Sequence, residues 1–380
     1  MDVQEHSWLS NVVAVQKFQE RQCNMERKVG LAVLARDTRF ASCSELRQCV
    51  MSEAMPDNDV EHSNVRHLPR ARPSAHRYPG VAVCMSGTCS DAALARRTAD
   101  ALMGQDYRGS IVLMIPEGTA TDRQWVRPGI EKSRQVILCP RADGSCELDC
   151  NAAFALALEL RPSVEYIALL KFGEVPPPQW LSVMMTAQRE FDADLVVGPV
   201  KAVFDEAPSD WMLSGTSFDR FGILRGPIPR IPAADNLLIR ADVIRSCLPR
   251  VFAPRPVPRE SEWTDFAYRA EALGFASICA NDAVVFDVVP KSRMTKEWII
   301  SREYDKALAD VRARSLYKTS RLPDTARRLR ACGLIVSSLM SCGWAWFDEG
   351  RLLRARLKLA QAQAMMARDI SRESIGKEAV

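Results

Sequence analysis

The sequence has few histidines, and all of them lie near its beginning. The four are His6, His62, His67 and His76. A domain that begins near residue 80 therefore contains no histidine, which excludes Ser-His-Asp and Cys-His catalysis from it, together with most zinc chemistry. The twelve cysteines form no C-x-x-C pair. We expect reduced thiols, and we expect those in apolar segments, Cys84, Cys139 and Cys279, to behave as small hydrophobic residues.

Two phosphate-binding motifs and a secretory signal are also absent. No G-x-G-x-x-G follows the apolar segment 81–85, and no G-x-x-x-x-G-K-[ST] occurs. These absences count against dinucleotide-binding and P-loop folds, although another nucleotide-binding α/β protein stays an open alternative. The first ten residues carry Asp2 and Glu5 and no long apolar run, so we expect a cytoplasmic protein. A net charge of +4 is too small to indicate nucleic acid binding.

The pattern of the chain changes near residue 80. Residues 1–79 show little periodicity, and their second half is polar and rich in His, Arg, Asn and Pro, which is typical of a linker or a disordered extension. After that point, short apolar segments alternate with helical patterns. We predict strands at 81–85, 111–115, 136–139, 166–170, 195–200, 236–239 and 284–289, and helices at 91–103, 147–160 and 180–190.

This alternation predicts an α/β fold, in which a parallel or mixed sheet is covered by helices on both faces. Ligands of such open sheets bind beyond the carboxyl ends of the strands. The segment 171–178 follows the most apolar predicted strand, so it is the first place to look for a functional site.

The last ninety residues are basic. Residues 291–380 contain 19 Lys and Arg and 10 Asp and Glu, a net charge of +9. Residues 331–347 carry no charge, which is at the lower limit of the roughly 17–25 residues that span a membrane. Basic residues on both sides disfavour a span. An interfacial helix with Trp344, Trp346 and Phe347 at headgroup depth and a helical hairpin packed on the domain both remain open.

Six segments between residues 80 and 315 occur in an order that points to a known family. They are Val81-Ala-Val-Cys84, the helix ending Leu102-Met-Gly-Gln105, Tyr166–Leu170 with Glu174–Leu181, Ala193–Val200, Asp235–Arg240 and Glu262–Phe266. Together they resemble family-2 glycosyltransferases of the GT-A fold, in the succinoglycan-biosynthesis (ExoM-like) branch that makes bacterial exopolysaccharides. The resemblance implies a GT-A-like domain at 80–315, between an N-terminal extension at 1–79 and a basic helical tail at 316–380.

The resemblance also implies a reaction and a set of site residues. It implies inverting transfer of a sugar from a nucleotide-sugar donor to a lipid-linked acceptor. It also implies other polysaccharide-synthesis proteins as partners and a location at the inner face of the cytoplasmic membrane. In this family a divalent cation, Mn²⁺ or Mg²⁺, neutralises the diphosphate, and an aspartate serves as general base. By position, we predict donor contacts for Glu117, Asn151, Lys171 and Glu174, acceptor contacts for Trp211 and Asn236, and catalytic roles for Glu262 and Asp265.

The chain departs from the family pattern at its polar positions. Lys171-Phe172-Gly173-Glu174 stands where the family has a run of aspartates, and only the glutamate is kept. Trp263 stands where the family has the aspartate that acts as base. We therefore predict no metal ligands, although the family uses a cation.

Two interpretations follow from these departures. In the first, the chain is a pseudoenzyme that binds a saccharide or a partner protein. In the second, it is an active but unusual enzyme in which the Lys171 ammonium replaces the cation and Asp265 or Glu262 acts as base. Purely structural roles are the alternative for single residues: a solvated Lys171, a helix-start charge for Asp265 and a packing role for Trp211.

Overall fold

A computed structural model describes residues 78–86, 92–116, 134–139, 146–160, 164–215, 218, 225–232, 236–247, 261–317, 324–343 and 348–367. Its strands are β1 Gly80–Ser86, β2 Ile111–Pro116, β3 Arg134–Cys139, β4 Val164–Lys171, β5 Glu174–Val175, β6 Leu195–Val197, β7 Val200–Phe204, β8 Gly226–Ile228, β9 Leu237–Arg240, β10 Ser277–Cys279 and β11 Val285–Val289. Its helices are α1 Ala92–Met103, α2 Cys146–Leu160, α3 Trp180–Phe191, α4 Asp210–Gly215, α5 Ala241–Cys247, α6 Ser261–Ala272, α7 Lys296–Tyr317, α8 Asp324–Gly343 and α9 Glu349–Met366.

A large mixed sheet has the strand order β3-β2-β1-β4-β9-β6-β10-β8. Strands β3, β2, β1 and β4 are parallel, and β10 is parallel to β6. Strand β9 is antiparallel to both β4 and β6, so those two point the same way. The carboxyl ends of β1, β2, β3, β4, β6 and β10 consequently lie along one edge, which we call the carboxyl edge.

Helices cover both faces of this sheet because its central strands are apolar on both sides. Alternate residues of β1 point to opposite faces, with Val81 and Val83 on one side and Ala82 and Cys84 on the other. Apolar residues of α1 and α3 pack on the first face, and those of α2, α5 and α6 pack on the second. The predicted fold class, a mixed sheet sandwiched by helices and followed by helical segments, is confirmed.

The buried cysteines act as small apolar residues, as predicted. Cys84, Cys139 and Cys279 have almost no exposed surface. Burial raises the pKa of the Cys84 thiol, which therefore stays protonated at neutral pH. A protonated, enclosed thiol is a poor nucleophile.

A small sheet of order β5-β11-β7 lies on the carboxyl-edge side of the large one. Each of its strands follows a strand of the large sheet: β5 follows β4, β7 follows β6 and β11 follows β10. The prediction of one strand at 195–200 was therefore wrong. The chain leaves the large sheet at Gly198-Pro199, because proline cannot donate to a central strand, and it pairs with β11 from Val200 onward.

Asn236 joins the two sheets at this edge. Its side-chain oxygen accepts the indole N–H of Trp180 at 2.7 Å, and its side-chain nitrogen donates to the carbonyls of Pro199 and Ala283 at 2.8 and 2.7 Å. Its backbone has a φ of 55°, so it stands just before β9 and not inside the predicted strand 236–239. Gly198 is packed so closely here that a Cβ would lie 2.2 Å from the Ala283 carbonyl oxygen.

The C-terminal helices form a layered arrangement. Helix α7 packs on α6, helix α9 packs on α7 and α4, and α8 packs on α9. Helix α9 begins after Asp348, whose carboxylate accepts the N–H of Arg351 at 3.0 Å. The Ser338 hydroxyl donates to the Ala355 carbonyl, and the Lys358 ammonium donates to the Ser337 hydroxyl. These two hydrogen bonds fit an antiparallel hairpin of α8 and α9. Within the described residues, no helix is long and apolar enough to cross a membrane.

Several sequence predictions fall outside these residues. Residues 1–77 and Trp344, Trp346 and Phe347 lie outside the described part of the chain. Helix α7 continues to Tyr317, two residues past the predicted domain boundary at 315/316. The three predicted domains stay a prediction.

Candidate functional site

The carboxyl edge brings the ends of β1 and β4 side by side. Ser86 is the register partner of Lys171, the last residue of β4. The N–H of Phe172 donates to the Ser86 carbonyl at 3.0 Å, and the Ser86 hydroxyl donates to the Leu170 carbonyl at 3.3 Å. Lys171 therefore stands at a fixed backbone position at the centre of the edge where ligands of open α/β sheets bind.

The segment 171–174 is a tight turn held by its neighbours. Gly173 has a φ of +97°, a conformation that glycine adopts without strain. Its N–H donates to the Thr98 hydroxyl at 3.2 Å, and its carbonyl accepts the N–H of Val288 at 3.1 Å. No role was predicted for Thr98 from the sequence. Its hydroxyl between the apolar residues Leu94 and Leu102 of helix α1 is the signal that could have identified it.

Glu174 is fully buried at the start of β5, where its backbone position is the antiparallel register partner of Asp287 on β11. Its carboxylate accepts the backbone N–H of Lys171 at 3.0 Å. The retained glutamate of the family pattern thus closes the turn that presents Lys171. Glu174 stabilises the predicted donor-binding segment from the buried side, whereas the Lys171 side chain is half-buried.

Glu174 gives a stability prediction with a conservative control. Glu174→Ala is expected to lower the free energy of unfolding by about 1–3 kcal/mol, because it leaves the N–H of Lys171 without this acceptor. Glu174→Gln keeps an acceptor oxygen and is expected to lose less than about 1 kcal/mol. Urea unfolding followed by circular dichroism measures both. Equal losses in the two variants would contradict the role of this hydrogen bond.

The described residues do not fit a divalent cation. The one carboxylate in the turn after β4 is that of Glu174, which is buried and bonded to the backbone. Nowhere in the described ranges do three His, Cys, Asp or Glu side chains come together as metal ligands. A hard cation prefers several oxygen ligands, which the described residues of this turn do not supply.

Helix α6 carries the predicted catalytic carboxylates. It precedes β10 after a short turn at Gly274, so it runs opposite to β10 and its first residues lie towards the carboxyl edge. Glu262 belongs to its first turn and Asp265 to the next. Asp265 accepts the hydroxyl of Tyr317 at 2.9 Å, a contact that the sequence gave no signal for.

Trp263 has a packing role in this helix. It is largely buried, and its ring meets that of Phe266 edge to face with centroids 6.3 Å apart. It therefore belongs to the core on the α6 face of the large sheet. An indole cannot accept a proton from an alcohol, so Trp263, where the resemblance predicts a base, cannot serve as one.

Helix α7 fixes the orientation of α6. The Tyr268 hydroxyl donates to Asp310 at 2.6 Å and accepts from the Arg314 guanidinium at 2.8 Å. Burial, followed by the bond to Asp310, raises the pKa of Tyr268 to about 12. The hydroxyl therefore remains a donor at neutral pH. The Arg230 guanidinium lies 3.6 Å from the Tyr268 ring centroid.

The remaining predicted site residues are dispersed. Asn151 lies near the start of α2, which enters from the carboxyl edge after β3, whereas Glu117 lies outside the described residues. Trp211 lies on α4, with the Lys296 ammonium 5.2 Å from its ring centroid. Asn236 is fully buried with both amide hydrogens donated to carbonyls, so the structure gives it a structural role. Lys171, Asn151, Glu262 and Asp265 share the carboxyl-edge side.

Comparison with known proteins identifies one relative. The chain is 26% identical over 179 residues to the succinoglycan biosynthesis protein ExoM of Rhizobium meliloti strain 1021. The resemblance predicted from the sequence is confirmed. The match covers 47% of this chain and 55% of ExoM, so the chain spans about half the length of the curated relative it matches. No family model matches the chain.

Solved structures of S. aureus TarS residues 1–349 are similar at low identity. The complex with UDP-GlcNAc has a TM-score of 0.44 and 9% identity, over 80% of this chain and 93% of that one. The complex with UDP has a TM-score of 0.41 and 10% identity over the same shares.

Proposed function

We propose that the chain is a family-2-like glycosyltransferase of cell-surface polysaccharide synthesis in which sugar transfer is weak or lost. Its similarity to ExoM supports the assignment to polysaccharide synthesis. The donor is a nucleotide-diphosphate sugar, and the acceptor is a lipid-linked saccharide at the inner face of the cytoplasmic membrane. The observation that carries the proposal is the carboxyl edge, where Lys171 ends the central strand β4 and Trp263 is buried, at positions for which the resemblance predicts carboxylates.

Lys171 is the group we assign to the donor diphosphate. It ends the central strand β4 beside the end of β1, and its turn is fixed through Thr98 and Glu174. An ammonium is a compact positive charge that suits a phosphate. Electrostatic stabilisation of the departing diphosphate is the task of the cation in the related family, and a fixed ammonium supplies part of it.

Loss of the general base is the reason to expect slow transfer. Asp265 and Glu262 lie on the helix that contains Trp263, and Asp265 is bonded to Tyr317. Absence of a positioned base costs about 10²–10⁴ in rate. From a typical turnover of about 10 per second, we expect at most about 0.1 per second.

An assay of binding and transfer tests the proposal. Thermal unfolding with UDP, GDP, ADP and dTDP identifies which nucleotide the protein binds. Chromatography then measures the release of that nucleoside diphosphate from the matching sugar donor, with extracted lipid-linked saccharides as acceptors. We expect one of the nucleotides to raise the Tm and the release to be slow. If Asp265 is the residual general base, the release rate is expected to decrease further in Asp265→Asn. Release near 10 per second would contradict weak or lost transfer.

A second candidate is a pseudo-glycosyltransferase that binds a saccharide or a partner enzyme. The burial of Trp263 in the core favours it, because the position cannot regain a base without disturbing the packing of α6. The same assay separates weak transfer from a pseudoenzyme without transfer. Donor binding with no release above the blank, unchanged in Asp265→Asn, supports the pseudoenzyme, and failure to bind any nucleotide contradicts the proposed donor site.

A further inference from the structure

Helix α8 carries apolar side chains on the face that points away from the protein. Leu329, Val336, Leu339 and Met340 are the residues concerned, and their exposed fractions are 72%, 55%, 66% and 70%. The other large exposed apolar residues of the described chain, Leu273, Leu359 and Met366, are isolated or on other elements. We call the four residues of α8 the apolar stripe. Single exposed apolar side chains are ordinary, whereas a contiguous stripe indicates a binding surface.

The stripe occupies one uncharged arc of the helix. Its residues are spaced by seven, three and one positions, which places them within about 120° of arc at 3.6 residues per turn. Thr325, Cys332 and Gly333 are also exposed and fall in the same arc. The opposite side packs on α9, where Ala331 is buried and the Ser338 hydroxyl donates to the Ala355 carbonyl at 2.8 Å. Helix α8 is thus apolar on the side that the described residues leave exposed.

Basic residues are exposed on both helices of the α8–α9 hairpin. Arg328 and Arg330 are exposed on α8, and Arg351, Arg354 and Arg356 are exposed on α9. Residues 291–380 have a net charge of +9. A second copy of this chain would bring the same charge to the contact, which opposes pairing of like surfaces. An anionic bilayer attracts basic residues and accepts apolar side chains.

We propose that the apolar stripe inserts into the surface of an anionic phospholipid membrane, with α8 parallel to the bilayer plane. The apolar side chains enter the boundary between headgroups and acyl chains, and Arg328 and Arg330, on either side of the stripe, meet lipid phosphates. This inference deepens the proposed function, which places the acceptor in a membrane, but its test measures binding and does not depend on sugar transfer.

Flotation with vesicles tests the proposal on the full chain. The vesicles contain either phosphatidylcholine alone or phosphatidylcholine with phosphatidylglycerol. We expect binding to the anionic vesicles that weakens as salt rises, and little binding to the neutral ones. The combined variant Leu329→Ser, Val336→Ser, Leu339→Ser and Met340→Ser is expected to bind the anionic vesicles at least about tenfold more weakly, because it removes the inserted apolar surface.

Two controls make the result specific. Leu273→Ser changes an exposed apolar residue on another element and is expected to bind like the wild type. Circular dichroism and Tm are expected to be unchanged in the combined variant, since its four positions are exposed. Wild-type binding by the combined variant would overturn the proposal. So would sedimentation showing a dimer without lipid that the combined variant converts to a monomer, since a second copy would then cover the stripe.

Discussion

Replacing Asn236 with glycine is expected to lower the free energy of unfolding by about 3–5 kcal/mol, the largest effect of any single substitution considered. The amide makes three hydrogen bonds of 2.7–2.8 Å inside the protein, to Trp180, Pro199 and Ala283. Its removal leaves the buried Trp180 indole N–H and the buried Ala283 carbonyl without this partner, whereas the Pro199 carbonyl still accepts the N–H of Val285 at 3.0 Å. Each buried group that loses its partner costs roughly 1–3 kcal/mol.

Glycine is the informative replacement because Asn236 has a φ of 55°. Glycine adopts this conformation freely, so the loss reports the amide and not backbone strain. Asn281→Gly is the matched control, because Asn281 is exposed, and we expect its effect to lie within about 1 kcal/mol. Urea unfolding followed by circular dichroism measures both variants. If Asn236→Gly is no less stable than Asn281→Gly, the amide does not join the two sheets.

The joint at Asn236 also shows where sequence reasoning ends. Apolar periodicity predicted β1, β2, β4 and the helices between them to within two residues, because burial on both faces of a parallel sheet leaves continuous apolar segments. It did not predict β5, β8 or β10, which have two or three residues each. Strands this short carry no period, and their pairing is decided by tertiary contacts.

The candidate site was predictable in position but not in the roles of its residues. The loop after β4 was identified because ligands of open sheets bind there, and Lys171 lies at that edge. Glu174 and Asn236 were interpreted as ligand contacts from their place in a family pattern, whereas the structure buries both and gives their side chains backbone partners. Burial and hydrogen bonding at these positions come from segments distant in sequence, which no local pattern reveals.

Removal of the Lys171 ammonium is expected to weaken nucleotide-sugar binding by about 10- to 100-fold. The estimate follows from the roughly 1.5–3 kcal/mol of a hydrogen bond to a charged group. Lys171→Met removes the charge and keeps an aliphatic chain of similar length. Lys291→Met is the control, since Lys291 lies on the surface after β11 and pairs with Glu206 at 3.1 Å. Its effect on affinity is expected to be less than about twofold.

Isothermal titration calorimetry of the nucleotide sugar, with Mn²⁺ and with EDTA, tests whether this site holds a diphosphate through Lys171 without a divalent cation. We expect equal affinity in Mn²⁺ and in EDTA for the wild-type protein, and a 10- to 100-fold loss in Lys171→Met under both conditions. Binding that requires Mn²⁺, or that is unchanged in Lys171→Met, would contradict metal-free binding through Lys171.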